Sequence, residues 1–178
     1  GVQTCALPIW PVTLALKHVK IHALAVHLND SDMPRASKLP AGSSDDIETA
    51  FYEALQNADL ERLMACWADD DEVICVHPGG ARLIGLGAIR SAFEALMSNG
   101  SVRLQAQAVR KIVSMGCAVH SVRERIEITT NEGPVEVFVL ATNVYLKTAQ
   151  GWRMVVHHAS PSAGHDSPDV TEHAPVLH

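Results

Sequence analysis

The feature that most constrains this chain is a change of hydrophobic period near residue 102. Before it, apolar residues recur at helical spacing in three stripes: Ile47, Ala50, Phe51, Ala54 and Leu55; Leu60, Leu63, Met64 and Trp67; and Ile89, Ala92, Phe93, Leu96 and Met97. After it the pattern alternates, which predicts strands over residues 102–113, 117–130, 135–147 and 152–160. Met115-Gly116, Asn131-Glu132-Gly133-Pro134 and Thr148-Ala149-Gln150-Gly151 supply the hairpin breaks between them. Asp45 with Glu48 three residues on signals the start of helix one, Asn57-Ala58-Asp59 separates it from helix two, and Asn99-Gly100 stops helix three. A short first strand runs up to His77 and ends in the turn Pro78-Gly79-Gly80. Helices that each bury one stripe, followed by a meander that buries alternate residues, specify an α+β class, with three N-terminal helices packed on a mainly antiparallel sheet.

The ends lack this pattern. Residues 1–9 read as the translation of a common sequencing-library adapter, residues 10–32 as translated upstream sequence, and Met33 as the expected true start. A signal peptide does not fit, because Lys17, His18 and Lys20 follow the apolar run instead of preceding it. That run also falls short of the ~20 apolar residues a membrane span needs. Residues 33–44, rich in Pro, Ser, Gly and Lys, are expected to be a linker, 45–161 a single domain, and 162–178 a disordered tail. The net charge of −6 argues against nucleic acid, whose affinity comes mainly from clustered Lys and Arg. With Cys5 set aside, Cys66, Cys75 and Cys117 form an odd set without C-x-x-C spacing. Reduced thiols and a cytoplasmic location are expected, with no disulfide or zinc framework.

Alternation assigns polar residues to faces. On residues 117–130, His120, Val122, Glu124, Ile126 and Ile128 share one face, and Ser121, Arg123, Arg125 and Glu127 share the solvated one. Glu124 in an apolar row is a candidate proton-transfer group, because desolvation raises a carboxyl pKa. An arginine reaching in from a helix would make it a structural ion pair instead. On the last strand Trp152, Met154, Val156, His158 and Ser160 are expected inward and His157 outward. Val73, Cys75 and His77 share a face of the first strand, with His77 at its mouth end. An inward histidine has an ordinary structural reading too, as a hydrogen-bonded core residue. No metal is assigned: Asp69-Asp70-Asp71 reads as a solvated turn, and His77, His120, His158 and Glu124 have ligand chemistry without ligand spacing.

Two segments carry a family resemblance: Trp67-Ala68-Asp69-Asp70-Asp71-Glu72-Val73-Ile74-Cys75-Val76-His77-Pro78-Gly79-Gly80, and the closing strand Gly151-Trp152-Arg153-Met154-Val155-Val156-His157-His158-Ala159-Ser160-Pro161. They resemble the passage from second helix to first strand, and the last strand, of the nuclear transport factor two-like superfamily, over a stretch from Asp45 to Pro161. The SnoaL-like and ketosteroid-isomerase-like branches are the nearest. The resemblance implies a cone-shaped barrel with a curved sheet around one deep hydrophobic pocket. For its enzymes it implies an aspartate base near the end of the first strand, a helix-one tyrosine and a protonated acid on the third long strand. Those positions fall on Cys75, with His77 next on its face, on Phe51, with Tyr52 one residue and about 100° away, and on Asn143, an amide that can still donate. Without the aspartate, the chain departs from true steroid isomerases.

Two functions follow as expectations. The first is an enzyme of proton-transfer type (isomerase, cyclase or lyase), with His77 or Glu124 moving the proton and Asn143, Tyr145 and His158 orienting or stabilising an oxyanion. Its pocket would hold a small hydrophobic molecule among Phe51, Trp67, Cys75, His120, Val122, Ile126, Tyr145, Val156 and Ser160, without a cofactor. The second is a non-catalytic module that binds a hydrophobic ligand or assembles as a dimer. A homodimer through the outer sheet face is expected either way, because Phe138, Leu140, Val144, Leu146 and Val155 are too apolar for open solvent.

Overall fold

The computed structural model describes residues 42–98, 102–130, 133–162 and 169, without the side chains of residues 129 and 130. All lie in one compact unit, Ala36–His178. The predicted upstream segment, most of the linker and tail, and the Asn99-Gly100 stop lie outside the described residues. Helix α1 spans Ser44–Asn57, α2 Leu60–Ala65 and α3 Leu86–Met97. Strands β1 (Ile74–Val76) and β2 (Arg82–Ile84) stand between α2 and α3, so the helices are not contiguous in the chain. They form a small hairpin around Pro78-Gly79-Gly80 whose second strand the three-residue pattern Arg82-Leu83-Ile84 is too short to announce. Strands β3 (Arg103–Val113), β4 (Cys117–Thr130), β5 (Gly133–Thr148) and β6 (Gly151–Pro161) form the meander.

The strand order is β2-β1-β6-β5-β4-β3. Every pairing is antiparallel except β1 with β6, which makes the sheet mixed. The chain reaches β6 through a backbone anchor after α2, where Ala68 N–H donates to Met154 O at 2.9 Å and Met154 N–H to Cys66 O at 2.8 Å. That anchor buries Trp67 and sets the start of β1 beside β6. Among the described residues no helix is long and apolar enough to cross a membrane.

Helix α1 carries the core. Its apolar stripe Ile47, Ala50, Phe51, Ala54 and Leu55 is buried as predicted from its spacing. Phe51 meets Tyr52, Trp67 and Phe93 edge-on at ring-centre distances of 5.3, 6.4 and 5.9 Å, the favoured geometry for aromatic pairs. The cap is Ser43, whose hydroxyl accepts from the Asp46 amide, and not Asp45. Asp45 and Asp46 instead place negative charge in the first turn, where the helix dipole favours it.

Two bulges adjust the sheet. In β3 the register shifts between Gln107 and Arg110, with Ala108 in left-handed backbone at φ 47°. In β6, Val156 pairs with Val144 but Met154 pairs with Tyr145, leaving Val155 as an extra residue. One inserted residue reverses the facing of everything beyond it. Trp152 and Met154 point inward as expected, and beyond the bulge His157 and Ala159 take over the inner face. His158 and Ser160, expected inward, are exposed, and Val156 is half-buried.

Helix α1 ends on Ala58, at φ 52°, with Asp59 N–H donating back to Ala54 O at 2.9 Å. This reversal favours glycine, because a Cβ in left-handed backbone costs about 1 kcal/mol or more. Ala58→Gly should therefore stabilise the fold by about 1 kcal/mol in urea denaturation, with unchanged m value.

Candidate functional site

A second stripe on α1 builds the site. Ser44, Glu48 and Tyr52 recur every four residues, flank the apolar stripe, and are only 4, 7 and 5% exposed. Eight helical residues advance about 12 Å, close to the about 13 Å covered by four strand residues. The stripe therefore runs in step with His120 and Glu124 on β4, which face it from the sheet. His120 also belongs to a transverse row. It pairs with Asn143, Asn143 with His157, and His157 with Cys75, across β4, β5, β6 and β1. All four are buried.

Buried polar groups need partners, and here they find them in two linked sets. In the first, Tyr52 Oη donates to Glu124 Oε1 at 2.8 Å, and Asn143 Nδ2 donates to Tyr52 Oη at 3.1 Å. His157 Nδ1 lies 2.8 Å from Asn143 Oδ1, and because that oxygen only accepts, the imidazole must donate. The chain of donors therefore runs one way, from His157 to Glu124. In the second, His120 stands between Glu48, with Nδ1 2.8 Å from Oε2, and Ser44, with Nε2 3.2 Å from Oγ. Tyr145 Oη donates to the same Glu48 oxygen at 3.4 Å.

Electrostatics follow from burial. Desolvation pushes Glu124 up to about 7, opposed by the Tyr52 hydrogen bond and reinforced by the Glu48 carboxylate. Glu124 has a phenol as its partner and another carboxylate as its charged neighbour, so the arginine pair considered from sequence is not what surrounds it. Burial, with help from the nearby carboxylates, raises the Tyr52 and Tyr145 phenols far above the ordinary range, and both keep their protons. Burial drops His157 to about 3, with His77 and His158 adding to the effect, and it holds a neutral ring. The Cys66 and Cys75 thiols are pushed up to about 12, again by burial, which makes Cys75 unreactive at the position where the resemblance puts a base.

Of these groups, Glu48 and Tyr52 line a cleft of about 460 Å³ between α1 and β3. Glu48, Thr49, Tyr52, Glu53 and Gln56 line one wall, and Gln105, Ala106 and Gln107, beside the β3 bulge, line the other. Polar and apolar surface share the lining of this cleft about equally. A neighbouring hollow of about 300 Å³ shares Gln56 and Gln105 and adds Arg103, Arg125 and Glu127.

The structure thus brings Glu124, Asn143, His120 and Tyr145 together, and separates His158 and Ser160 from them. Phe51, Trp67, Val122 and Cys75 are packed in the core, and Ile126 is half-buried. Phe51 contacts His157 at a ring-centre distance of 5.5 Å and carries no polar group inward; the helix-one hydroxyl belongs to Tyr52. His77 belongs to neither set: its ring lies 4.9 Å from Phe93 and 6.4 Å from His157, its buried Nε2 has no partner among the described residues, and burial lowers its pKa. Ser44, Glu48, Tyr52 and His157 are the members not singled out from sequence. The first three were detectable as a polar stripe at four-residue spacing beside the apolar one. His157 was not, because nothing in Met154-Val155-Val156 marks a bulge.

Comparison with known proteins agrees with this architecture. A SnoaL-like domain model matches residues 45–164. Among solved structures, a putative calcium/calmodulin-dependent protein kinase type II association domain from Thiobacillus denitrificans is 40% identical, with 67% of this chain and 95% of that one covered and a TM-score of 0.61. A putative dehydratase of the NTF2-like family from Streptomyces avermitilis is 30% identical, with 66% and 93% covered and a TM-score of 0.60. The CaMKII hub of S. rosetta, at 19% identity, coverage of 69% and 97% and a TM-score of 0.57, shares the fold. No curated protein matches the chain at a significant level. With residues 45–164 matched and two relatives at 30% identity or above, the chain belongs to the SnoaL-like domain family of the nuclear transport factor two-like superfamily.

Proposed function

We propose that this protein is a small-molecule enzyme of the proton-transfer type, an isomerase, cyclase or lyase, in which Tyr52 meets the substrate and Glu124 supplies or takes the proton from behind it. The observation that carries the reading is the buried hydrogen bond from Tyr52, which lines a cleft, to Glu124 behind it, with the Glu124 pKa brought up to about 7. A carboxyl poised there is present in both forms near neutral pH, the condition for efficient general acid–base work. When Glu124 is ionised, Tyr52 donates to it. When Glu124 holds a proton, the acid donates to Tyr52 Oη and the phenolic hydrogen is free to turn toward the cleft. A substrate oxygen gaining negative charge there is stabilised by Tyr52 and can take its proton, which Glu124 replaces. Asn143 donates to the phenolic oxygen throughout, and His157 holds Asn143 in the orientation that does so.

A relative named as a putative dehydratase supports the lyase form of this reading. Glu48, Glu53 and the glutamines around the cleft suit a neutral or cationic ligand, so a small hydrophobic substrate would need at least one polar oxygen to engage Tyr52. We take the domain as residues 45–161 and its sheet as the cone of the superfamily. The free thiols Cys66, Cys75 and Cys117 support a cytoplasmic setting.

Assembly is a second role with its own observation. Leu140 and Leu146 project from the outer face of β5, in the middle of the sheet, at 45 and 41% exposure. Half-buried Val144 and Val155 extend the patch. A second copy is the proposed cover, and the 40% identical relative is itself named as an association domain. Leu140→Lys should convert the dimer to monomer in sedimentation at micromolar concentration; a parent chain that already sediments as a monomer rules the interface out.

The catalytic reading is tested in D₂O by following exchange of α-protons in a panel of small carbonyl compounds by NMR. The parent should exchange one class, and Tyr52→Phe and Glu124→Gln should each lose that exchange while keeping a cooperative melt. Exchange that persists in both folded variants removes the relay.

Stability should also depend on pH with a definite sign. A carboxyl whose folded pKa is raised from 4.5 to about 7 contributes most below the lower value and loses that contribution as pH rises through the upper one. The loss is roughly 3 kcal/mol between pH 4.5 and 7.5, from about 1.4 kcal/mol per pKa unit. The melting temperature of the parent should fall across that window, and that of Glu124→Gln should fall less.

A further inference from the structure

We propose that Ser44, His120 and Glu48 form a second reactive centre, in which Ser44 is a nucleophile able to accept acyl groups from small activated esters, separate from the Tyr52–Glu124 relay. His120 Nδ1 and Tyr145 Oη both lie within hydrogen-bond reach of Glu48 Oε2, at 2.8 and 3.4 Å. In the form this role requires, with Glu48 ionised and His120 neutral, that oxygen accepts from Nδ1–H and the Nε2 lone pair faces Ser44 Oγ at 3.2 Å. In that form the hydroxyl is the donor. A hydroxyl hydrogen-bonded to an imidazole, whose far nitrogen is held by a buried carboxylate, is the arrangement that activates a serine.

The local fold leaves Ser44 free for this role. Ser43 caps α1, accepting from the Asp46 amide with its hydroxyl and from the Ile47 amide with its carbonyl. The Ser44 hydroxyl, one residue on, is therefore not needed as a cap and turns to the sheet. The Ser44 and Asp45 amides lie in the first turn and have no acceptor within the helix, so they are available to an oxygen gaining negative charge. Ser44 is 4% exposed and His120 fully buried, so the Asp45 side chain must swing away from the Nε2 edge of His120 to admit an ester. Asp45 Oδ1 is 3.6 Å from that nitrogen and its side chain is 57% exposed, paired at 3.0 Å with Lys111, which is 37% exposed. An exposed ion pair of this kind opens at little cost.

In the reaction, Ser44 Oγ attacks the ester carbonyl carbon as its proton passes to His120 Nε2. The carbon–oxygen bond to the alcohol then breaks, and the leaving alkoxide takes the proton from Nε2. Water repeats the sequence on the acyl-serine, giving its proton to His120, and releases the acid as Ser44 regains its hydrogen.

The test is labelling of the full chain with an alkyl fluorophosphonate, located by peptide mass mapping, alongside release of p-nitrophenol from p-nitrophenyl acetate. A single adduct on Ser44 is expected. Ser44→Ala should lose both adduct and ester cleavage, and Glu48→Gln and His120→Asn should label about a hundredfold more slowly or worse, with folding checked by their melts. An adduct on Tyr52 or elsewhere but not on Ser44, no adduct on the parent, or undiminished labelling in a folded Glu48→Gln or His120→Asn would each overturn the proposal. Because the parent result alone can refute it, the outcome does not depend on the variants folding. It is also independent of Tyr52→Phe, which tests the relay.

Discussion

The rest of the structure depends on how α1 lies on the sheet, and that placement is set by polar groups as much as by apolar ones. Burying Phe51, Ile47 and Leu55 brings the helix to the sheet but tolerates sliding, since apolar contact has no direction. The stripe Ser44, Glu48 and Tyr52 does not tolerate it. Each member has at least one partner within hydrogen-bond reach on β4 or β5, and a slip of one turn would leave at least one buried carboxylate without a donor. Such a group costs about 1–3 kcal/mol, more when charged. The apolar stripe supplies the attraction and the polar stripe the register.

The β6 bulge completes the same design from the other side. Without Val155 as an extra residue, His158 would occupy the inner row and His157 would face outward. With it, His157 reaches Asn143, and the row His120, Asn143, His157 and Cys75 closes across four strands. A single insertion therefore decides which histidine orients the amide that supports Tyr52. Bulges concentrate next to functional sites because they re-aim side chains in this way.

This explains what was legible in the sequence. The α1 stripe, the meander and the inward face of β4 follow from period alone, because each is a long run with one regular spacing. So does the elevated acid Glu124, whose neighbours Val122 and Ile126 already imply desolvation. The helix-one tyrosine was misplaced by one residue, since a homologous position predicts a helix face less well than the partners that face requires. His157 and His158 were exchanged because alternation assumes an uninterrupted strand. Glu48 was read as a capping residue, a local role, when its partners are 72 and 97 residues away. Local grammar reports local bonds and is silent about those closed by topology.

Two carboxylates one layer beneath the surface also bear on why this arrangement is kept. Glu48 raises the proton affinity of Glu124, which is buried against the Tyr52 phenol, and Glu48 is buried against the Tyr145 phenol and the His120 ring. For stability alone, apolar residues of similar volume would serve at least as well, because burying a carboxylate forfeits hydration that neutral donors only partly replace. A core that retains two such groups, one lining a cleft and the other behind the tyrosine that lines it, and supports the latter with a directed run of donors from His157 through Asn143 to Tyr52 has stability set against it and chemistry in its favour. The cost falls on α1 and β4 at one place, and that place is where the domain opens to solvent.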